Sequence, residues 1–248
     1  MNIRTVKWKT ETQIANEWDD ISSKREVLIK EGKDISFEHV LLPSVLSHFK
    51  NCNKDFVVDC GCGTGVLTNY LSKDAKKIIG IDISAKSIEI AKKDNSAQNI
   101  NFYNKSINEL AFTHPLSASV CVANMFLMDA LNLNNTIESI SNILIDDGIF
   151  IATITHPCFW PIYWNYFNEE WFNYDKEIII ESDFKTTFGN KLGTSTHIHR
   201  PLNMYVSALI NNGLKILLID EPYPTYSVTG YKFEYPRFLL FKCQKTTV

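Results

Sequence analysis

The feature that most constrains this chain is the stretch Phe56-Val57-Val58-Asp59-Cys60-Gly61-Cys62-Gly63-Thr64-Gly65-Val66-Leu67-Thr68-Asn69-Tyr70-Leu71. Its short β-branched apolar run has the length of a buried strand, and Val66, Leu67, Tyr70 and Leu71 recur at helical spacing. The three alternate glycines therefore sit in a strand-to-helix turn. Without Cβ atoms such a turn lets backbone approach a ligand closely, and the N–H groups at a helix start can face a polar one. A glycine pattern alone is weak evidence. Its weight comes from Lys77-Ile78-Ile79-Gly80-Ile81-Asp82-Ile83, a second apolar strand whose acid lies 17 residues after Gly65. An acid closing the second strand of a doubly wound sheet is placed to accept hydrogen bonds from two ribose hydroxyls. The stretch predicts a nucleotide-like site whose ligand carries a ribose.

The dinucleotide fingerprint ends Gly-x-x-Gly, and here Val66 stands where its third glycine would fall. An acid two residues before the first glycine, the spacing Gly61-x-Gly63-x-Gly65, and Asp82 after a second strand instead resemble the class I S-adenosylmethionine-dependent methyltransferases. The resemblance implies an enzyme with S-adenosylmethionine as cofactor and S-adenosylhomocysteine as product. It implies cofactor contacts at Asp59, Gly61, Cys62, Gly63, Gly65, Asp82 and Ile83. The segment Asn104 to Phe112 resembles the family's adenine-binding stretch, with Ser106 where an acid is usual; a hydroxyl can still accept that bond, so Ser106 and Ile107 are assigned to adenine. Cys121 to Asp129, after the fourth strand, corresponds to the edge beside the methionine moiety and the methyl group. Asn124 and Met125 are expected at the cofactor there, and Phe126 at the acceptor. Relatives often begin that strand with Phe-Asp, whereas this chain has Ala118-Ser119.

Along the chain, residues 11 to 50 carry apolar side chains near helical spacing and predict two or three N-terminal helices, which in the resembling family cover the cofactor. Strands at 56–60, 77–82, 100–104, 119–123 and 149–155 then alternate with helices at 65–73, 84–95 and 134–144, the last closed by Gly148 after Asp146-Asp147. After residue 200 the pattern predicts a helix from Pro201 to Asn212 and two strands, 214–220 and 238–243, as an antiparallel hairpin. The expectation is one α/β domain over 1–248: a doubly wound, mostly parallel, seven-stranded Rossmann-like sheet with an antiparallel edge strand. Residues 1–50 are read as a helical cover and 157–200 as a cap insertion.

That cap departs from the alternation. Between Phe159 and Tyr174 lie nine of the thirty aromatic side chains, a density beyond what a connector needs. One reading is a plug over the sheet edge; the other is a lid whose aromatic faces stack on a planar acceptor or embrace a cation. Glu177 to Ser182 and Lys185 to Phe188 read as its antiparallel strands. His156-Pro157-Cys158-Phe159, His199-Arg200-Pro201-Leu202 and Glu221-Pro222 look like a small-molecule methyltransferase subgroup with a cap after the fifth strand. Trp18, Phe126, Phe159, Trp160, Tyr163, Trp164 and Arg200 are the expected acceptor contacts. His156, His199 and Glu221 are candidate bases, needed only if the acceptor arrives protonated.

The 25 basic and 28 acidic residues leave a net charge of −3, so phosphate-backbone binding is not advertised. No apolar run approaches the roughly 20 residues of a membrane span, and six scattered cysteines suit reduced thiols in a cytoplasmic protein. Cys60-x-Cys62 lacks further ligands at zinc spacing, so no metal is predicted. The partner this implies is a small-molecule methyl acceptor, planar or aromatic, methylated at O, N or C. Nucleic acid and membrane are not expected, and a homodimer is an admissible assembly. Competing readings are an RNA or protein methyltransferase and a nucleoside-binding regulatory protein without turnover.

Overall fold

The computed structural model describes residues 3–185, 191–224 and 234–246. The first strand, β1 (Ile3–Val6), precedes a 20-residue helix α1 (Glu11–Lys30), which begins at a capping box between Thr10 and Gln13. A π-helical turn (Phe37–Leu41) leads into α2 (Leu42–Phe49). The alternating part comes next: β2 (Val57–Cys60), α3 (Val66–Ser72), β3 (Ile78–Asp82), α4 (Ala85–Asp94), β4 (Ile100–Asn104) and α5 (Ile107–Thr113). It continues with β5 (Ala118–Asn124), α6 (Leu133–Ile143) and β6 (Leu144–Thr155). The short helix α7 (Trp160–Tyr163) then leads to strands β7 (Ile178–Lys185) and β8 (Lys191–His199). The chain closes with α8 (Leu202–Asn211), β9 (Leu214–Asp220) and β10 (Phe238–Lys245).

Seven strands form one sheet in the order β4-β3-β2-β5-β6-β10-β9. The first five run parallel, and β10 runs antiparallel to both β6 and β9. The antiparallel strand thus lies one place in from the edge, paired to β9 as the predicted hairpin. Side chains alternate across each strand, which gives a core on either face. Val58, Cys60, Ile79, Cys121, Phe150 and Ile154 pack on one side against α5, α6 and α8. Val57, Ile78, Val120, Val122 and Ile151 pack on the other against α2, α3 and α4. Successive crossovers diverge between β2 and β5, and ligands bind outside the carboxyl ends of strands at such a point.

A second sheet of three antiparallel strands, ordered β1-β7-β8, stands over those carboxyl ends. Its core joins Val40 and Leu41 of the π-helical turn to Trp160, Trp164, Tyr166, Ile180 and Phe238. Helix α1 ties it down: Glu17 accepts hydrogen bonds from the Thr196 N–H (2.8 Å) and hydroxyl (3.0 Å), and Lys24 donates to the Leu192 carbonyl.

Two local expectations are corrected. The sequence pattern puts the second cap strand at Lys185 to Phe188; residues 186–190 lie outside the described residues, and the strand observed is Lys191–His199. Gly148 does not end α6, which stops at Ile143; Asp147 takes the positive φ (59°), and Gly148 lies inside β6, where a Cβ would meet the Ile145 carbonyl at 2.8 Å. After Ser106 the chain forms the helix α5, begun by a capping box between Ser106 and Glu109.

Candidate functional site

At the carboxyl ends of β2, β3 and β5 the chain encloses a cavity of about 220 Å³, against the roughly 10–15 Å³ that a single water needs. Gly61, Gly63, Asp82, Ile83, Ser106, Ile107, Asn124, Met125 and Phe126 line it. Trp18, Trp160, Tyr163 and Trp164 line it too, with Phe184, Ser195, Thr196 and His197 of the three-stranded sheet. The structure therefore brings together, around one space, most of the residues picked from sequence.

The glycine turn is built by contacts on both its faces. Gly61, at φ +69°, lies so close to Phe126 that a Cβ there would sit 2.6 Å from the ring. Gly63, at φ +54°, faces open space, with no atom within 4 Å of where its Cβ would be. The Gly63 N–H donates to Asp82 Oδ2 at 2.9 Å and the Ser84 N–H to Asp82 Oδ1 at 2.8 Å, so the carboxylate that closes β3 holds the turn's apex. Burial raises the Asp82 pKa, the two N–H groups lower it, and neighbouring Asp19 raises it. From above, Glu26 of α1 accepts the Thr64 hydroxyl, while Asn95 donates to the Thr64 carbonyl at 2.9 Å.

Three of the predicted cofactor residues support the turn from behind and do not line the cavity. Cys62 is buried and fixes the turn through its own N–H, donated to the Ile81 carbonyl at 2.9 Å. Gly65 starts α3 against Phe102. Asp59 Oδ2 accepts the Thr68 hydroxyl at 2.6 Å, but buried Oδ1 has no hydrogen-bond partner among the described residues. Burial lifts the Asp59 pKa to about 7, with Thr68 opposing and Asp82 adding. Ser106 reaches the cavity wall with its hydroxyl engaged in the α5 capping box, bonded to Glu109. Ser119, at the other departure from the family pattern, bridges the Phe56 N–H and carbonyl and so anchors the start of β2.

The candidate bases His156, His199 and Glu221 are corrected: none of them lines the cavity. His156 is buried beside the cavity wall: its Nε2 meets Glu221 Oε1 at 2.9 Å and its Nδ1 accepts the Cys158 N–H at 3.2 Å. The two close the turn after β6, and burial lowers the His156 pKa against the pull of Glu221. Phe159 stacks on Tyr235 with centroids 5.3 Å apart instead of facing the cavity. His199 is packed among Phe172, Tyr174 and Tyr166, its Nε2 bonded to the Tyr174 carbonyl at 3.1 Å. Arg200 is 1% exposed; it donates to the carbonyls of Leu127, Ala130 and Leu131 and pairs with Glu177. A guanidinium satisfied this way clamps the loop after β5 and does not reach a ligand.

Many lining residues are absent from the sequence-based site, among them Asp129 and His197, both with strongly displaced pKa values. Asp129, one turn beyond Phe126, accepts the Trp18 indole N–H at 3.0 Å. Burial pushes its pKa up to about 8, aided by Glu17 and Asp82 and opposed by the Trp18 bond and Arg200. His197, two residues before His199 on β8, also lines the cavity; burial, with His199 and Arg200 nearby, lowers its pKa to about 3 and keeps the ring neutral. Period-two alternation through Thr194-Ser195-Thr196-His197-Ile198-His199 is the available signal for it.

This donor set fits S-adenosylmethionine. The turn offers an open backbone face at Gly63, and the carboxylate of Asp82, which lines the cavity, retains lone pairs for ribose hydroxyls. When bound, that cofactor supplies a methyl group activated on a sulfonium.

Comparison with known proteins agrees. A family model described as "Methyltransferase domain" matches residues 50–196. A ubiquinone biosynthesis O-methyltransferase of Nitrosospira multiformis is 24% identical over 157 residues, 62% of this chain and 63% of that one. A crystal structure from Listeria monocytogenes, assigned to the S-adenosylmethionine-dependent methyltransferases, superposes with a TM-score of 0.66 at 25% identity, covering 83% of this chain and 96% of that one. The Burkholderia thailandensis 1,6-didemethyltoxoflavin-N1-methyltransferase, solved with its acceptor and S-adenosylhomocysteine, shares the fold with a TM-score of 0.60 at 12% identity over 99% of this chain and 95% of that one. The chain spans 40% and 63% of the length of two curated relatives it matches. With a family model over more than half its length, and the same fold in these neighbours, the chain belongs to the methyltransferase-domain family of class I S-adenosylmethionine-dependent enzymes.

Proposed function

We propose that this chain transfers the methyl group of S-adenosylmethionine to a small planar acceptor held under the aromatic cap. The observation that carries the reading is one shared cavity, lined at once by the glycine turn, Asp82, Trp18, Trp160 and Trp164. In this reading Asp82 takes the ribose hydroxyls, Ile83 and Ile107 flank the adenine, and Asn124 and Met125 border the methionine moiety. Met125 holds a positive φ of 56°, and its N–H donates to the Thr153 carbonyl at 2.9 Å. Strain of this kind is kept where the surroundings fix it, often at ligand sites. Methyl transfer is an in-line displacement, so the main task of these residues is to align acceptor, carbon and sulfur. Aromatic walls suit a flat acceptor and exclude water. The Burkholderia thailandensis enzyme, solved in the same fold with bound 1,6-didemethyltoxoflavin, is in keeping with a small-molecule acceptor.

The test is calorimetry with S-adenosylhomocysteine, then transfer of radiolabelled methyl from S-adenosylmethionine into a cell extract separated by size. Label in the small-molecule fraction is expected. Label only in RNA or protein would move the substrate to those classes, and binding without transfer to any fraction would leave a nucleoside-binding regulator.

A further inference from the structure

One edge of the seven-stranded sheet is left apolar. Among the described residues β9 bonds to β10 alone, so the amides and carbonyls along its outer side have no strand beside them. The strand reads Leu214-Lys215-Ile216-Leu217-Leu218-Ile219-Asp220, and Leu217, Leu218 and Ile219 are 46%, 39% and 47% exposed. Edges that stay single are kept short, or carry proline or charge along their length. This one is seven residues long, holds no proline and has charges only near its two ends. Three consecutive exposed aliphatic residues there mark a surface made to be covered.

An irregularity in β9 decides what can cover it. Its register against β10 steps from Leu218 opposite Lys242 to Ile216 opposite Cys243, so Leu217 is an extra residue, a bulge. The alternation of faces reverses across that bulge. Ile216 and Ile219 stand opposite Cys243 and Phe241, on the side of the core under α5, α6 and α8. Lys215 and Asp220 stand opposite Gln244 and Leu240, on the side of α2, where His48 meets Asp220 at 3.1 Å. A second copy turned by a two-fold axis perpendicular to the sheet keeps each face on its own side, so only residues of like face can stand opposite each other. With the axis between Leu217 and Leu218, Ile216 faces the second copy's Ile219 and Lys215 faces the second copy's Asp220, each pair occurring twice. In a strand without the bulge, residues three and five apart would lie on opposite faces, and this register would fail.

We propose that the chain is a two-fold dimer joined by antiparallel pairing of β9 with the β9 of a second copy, Lys215 against Asp220 at both ends and the leucines and isoleucines between. Opposite charges directly across a strand pair stabilise it, and like charges there destabilise it, so the charge pattern selects this register. Strands β10, β6 and β5 separate β9 from β2, so the glycine turn lies away from the joint.

Sedimentation equilibrium of the whole chain over a range of concentrations tests this. Particles of twice the chain's mass are expected. Ile219→Lys, which puts a charge among the apolar pairs, should weaken self-association by about tenfold or more. Lys215→Glu and Asp220→Lys each set like charges opposite one another at two places, and each alone should weaken it about tenfold. Mixed in equal amounts, those two variants regain opposite charges at both places and should associate with each other about as tightly as the unsubstituted chain does with itself. Recovery on mixing separates a lost contact from a misfolded chain, and an unchanged far-ultraviolet circular dichroism spectrum is expected of every variant. A chain that stays monomeric at every concentration overturns the proposal, and flotation of that monomer with phosphatidylglycerol vesicles would give the edge to a membrane surface instead. A dimer that Ile219→Lys and Lys215→Glu leave intact, or variants that gain nothing on mixing, would overturn it too.

Discussion

At the scale of single residues, Asp82 is committed twice, holding the Gly63 and Ser84 amides and facing the cavity. Hydrogen bonds to a charged group contribute about 1.5–3 kcal/mol each, and about 1.4 kcal/mol is tenfold in affinity. Asp82→Asn is expected to weaken S-adenosylhomocysteine binding by about a hundredfold in calorimetry; unchanged affinity would place the ribose elsewhere. Gly61 and Gly63 give a paired prediction. A methyl group at Gly61 runs into Phe126, so Gly61→Ala should lower the melting temperature markedly. At Gly63 it meets no protein atom within 4 Å, leaving only the left-handed backbone cost of about 1–2 kcal/mol and a methyl group in the cofactor's space. Gly63→Ala should therefore lose affinity at least tenfold for a smaller fall in melting temperature, and the opposite ranking would contradict the placement of the turn.

At the scale of elements, α1 joins the two halves of the site. Glu26 holds Thr64 of the glycine turn, Asp19 accepts from the Ser84 hydroxyl and the Lys86 N–H at the start of α4, and Glu17 holds β8. Glu26→Ala leaves the Thr64 hydroxyl unpaired and should cost about 1–3 kcal/mol by denaturant unfolding, with faster hydrogen exchange at the 61–65 amides. The glycine turn and the parallel strands are legible in the sequence because their signals are local: a short apolar run, special backbone residues, then helical spacing. The partner of the cap sheet is not. Ile3 to Val6 form a strand only by pairing with residues 179–182, a contact that no local pattern announces. Glu26, polar on a helix read from its apolar spacing, is hidden for the same reason. His156 and His199 do not line the cavity and Asp129 and His197 do, yet nothing in the sequence around the four separates one pair from the other. Only the path of the chain after β5 and along β8 decides which of them meets a ligand.

At the scale of the whole molecule, the buried titratable groups give stability a definite dependence on pH. His197 has its pKa depressed in the fold to about 3, so the unfolded chain binds its proton first, and its own contribution to stability rises with pH from about 3 until about 6.5. Asp59 and Asp129 have folded pKa values raised to about 7 and about 8, so the stability they contribute is full below the unfolded carboxyl pKa of about 3.9 and is lost as pH rises from there through those values. The melting temperature of the ligand-free chain should therefore fall by a few degrees between pH 6.5 and 8.5. Asp129→Asn should flatten that slope; an unaltered slope in the variant would show that Asp129 does not titrate there.

The same three scales meet in one claim, that the glycine turn and Asp82 grip an adenosine whose sulfur points beneath the aromatic cap. A crystal structure of the chain with S-adenosylhomocysteine measures this directly. The account predicts both ribose hydroxyls within hydrogen-bond distance of Asp82, backbone of residues 61–63 against the methionine moiety, and the sulfur opening toward Trp18, Asp129 and Trp160. A ribose away from Asp82, or a sulfur turned toward bulk solvent, would contradict it.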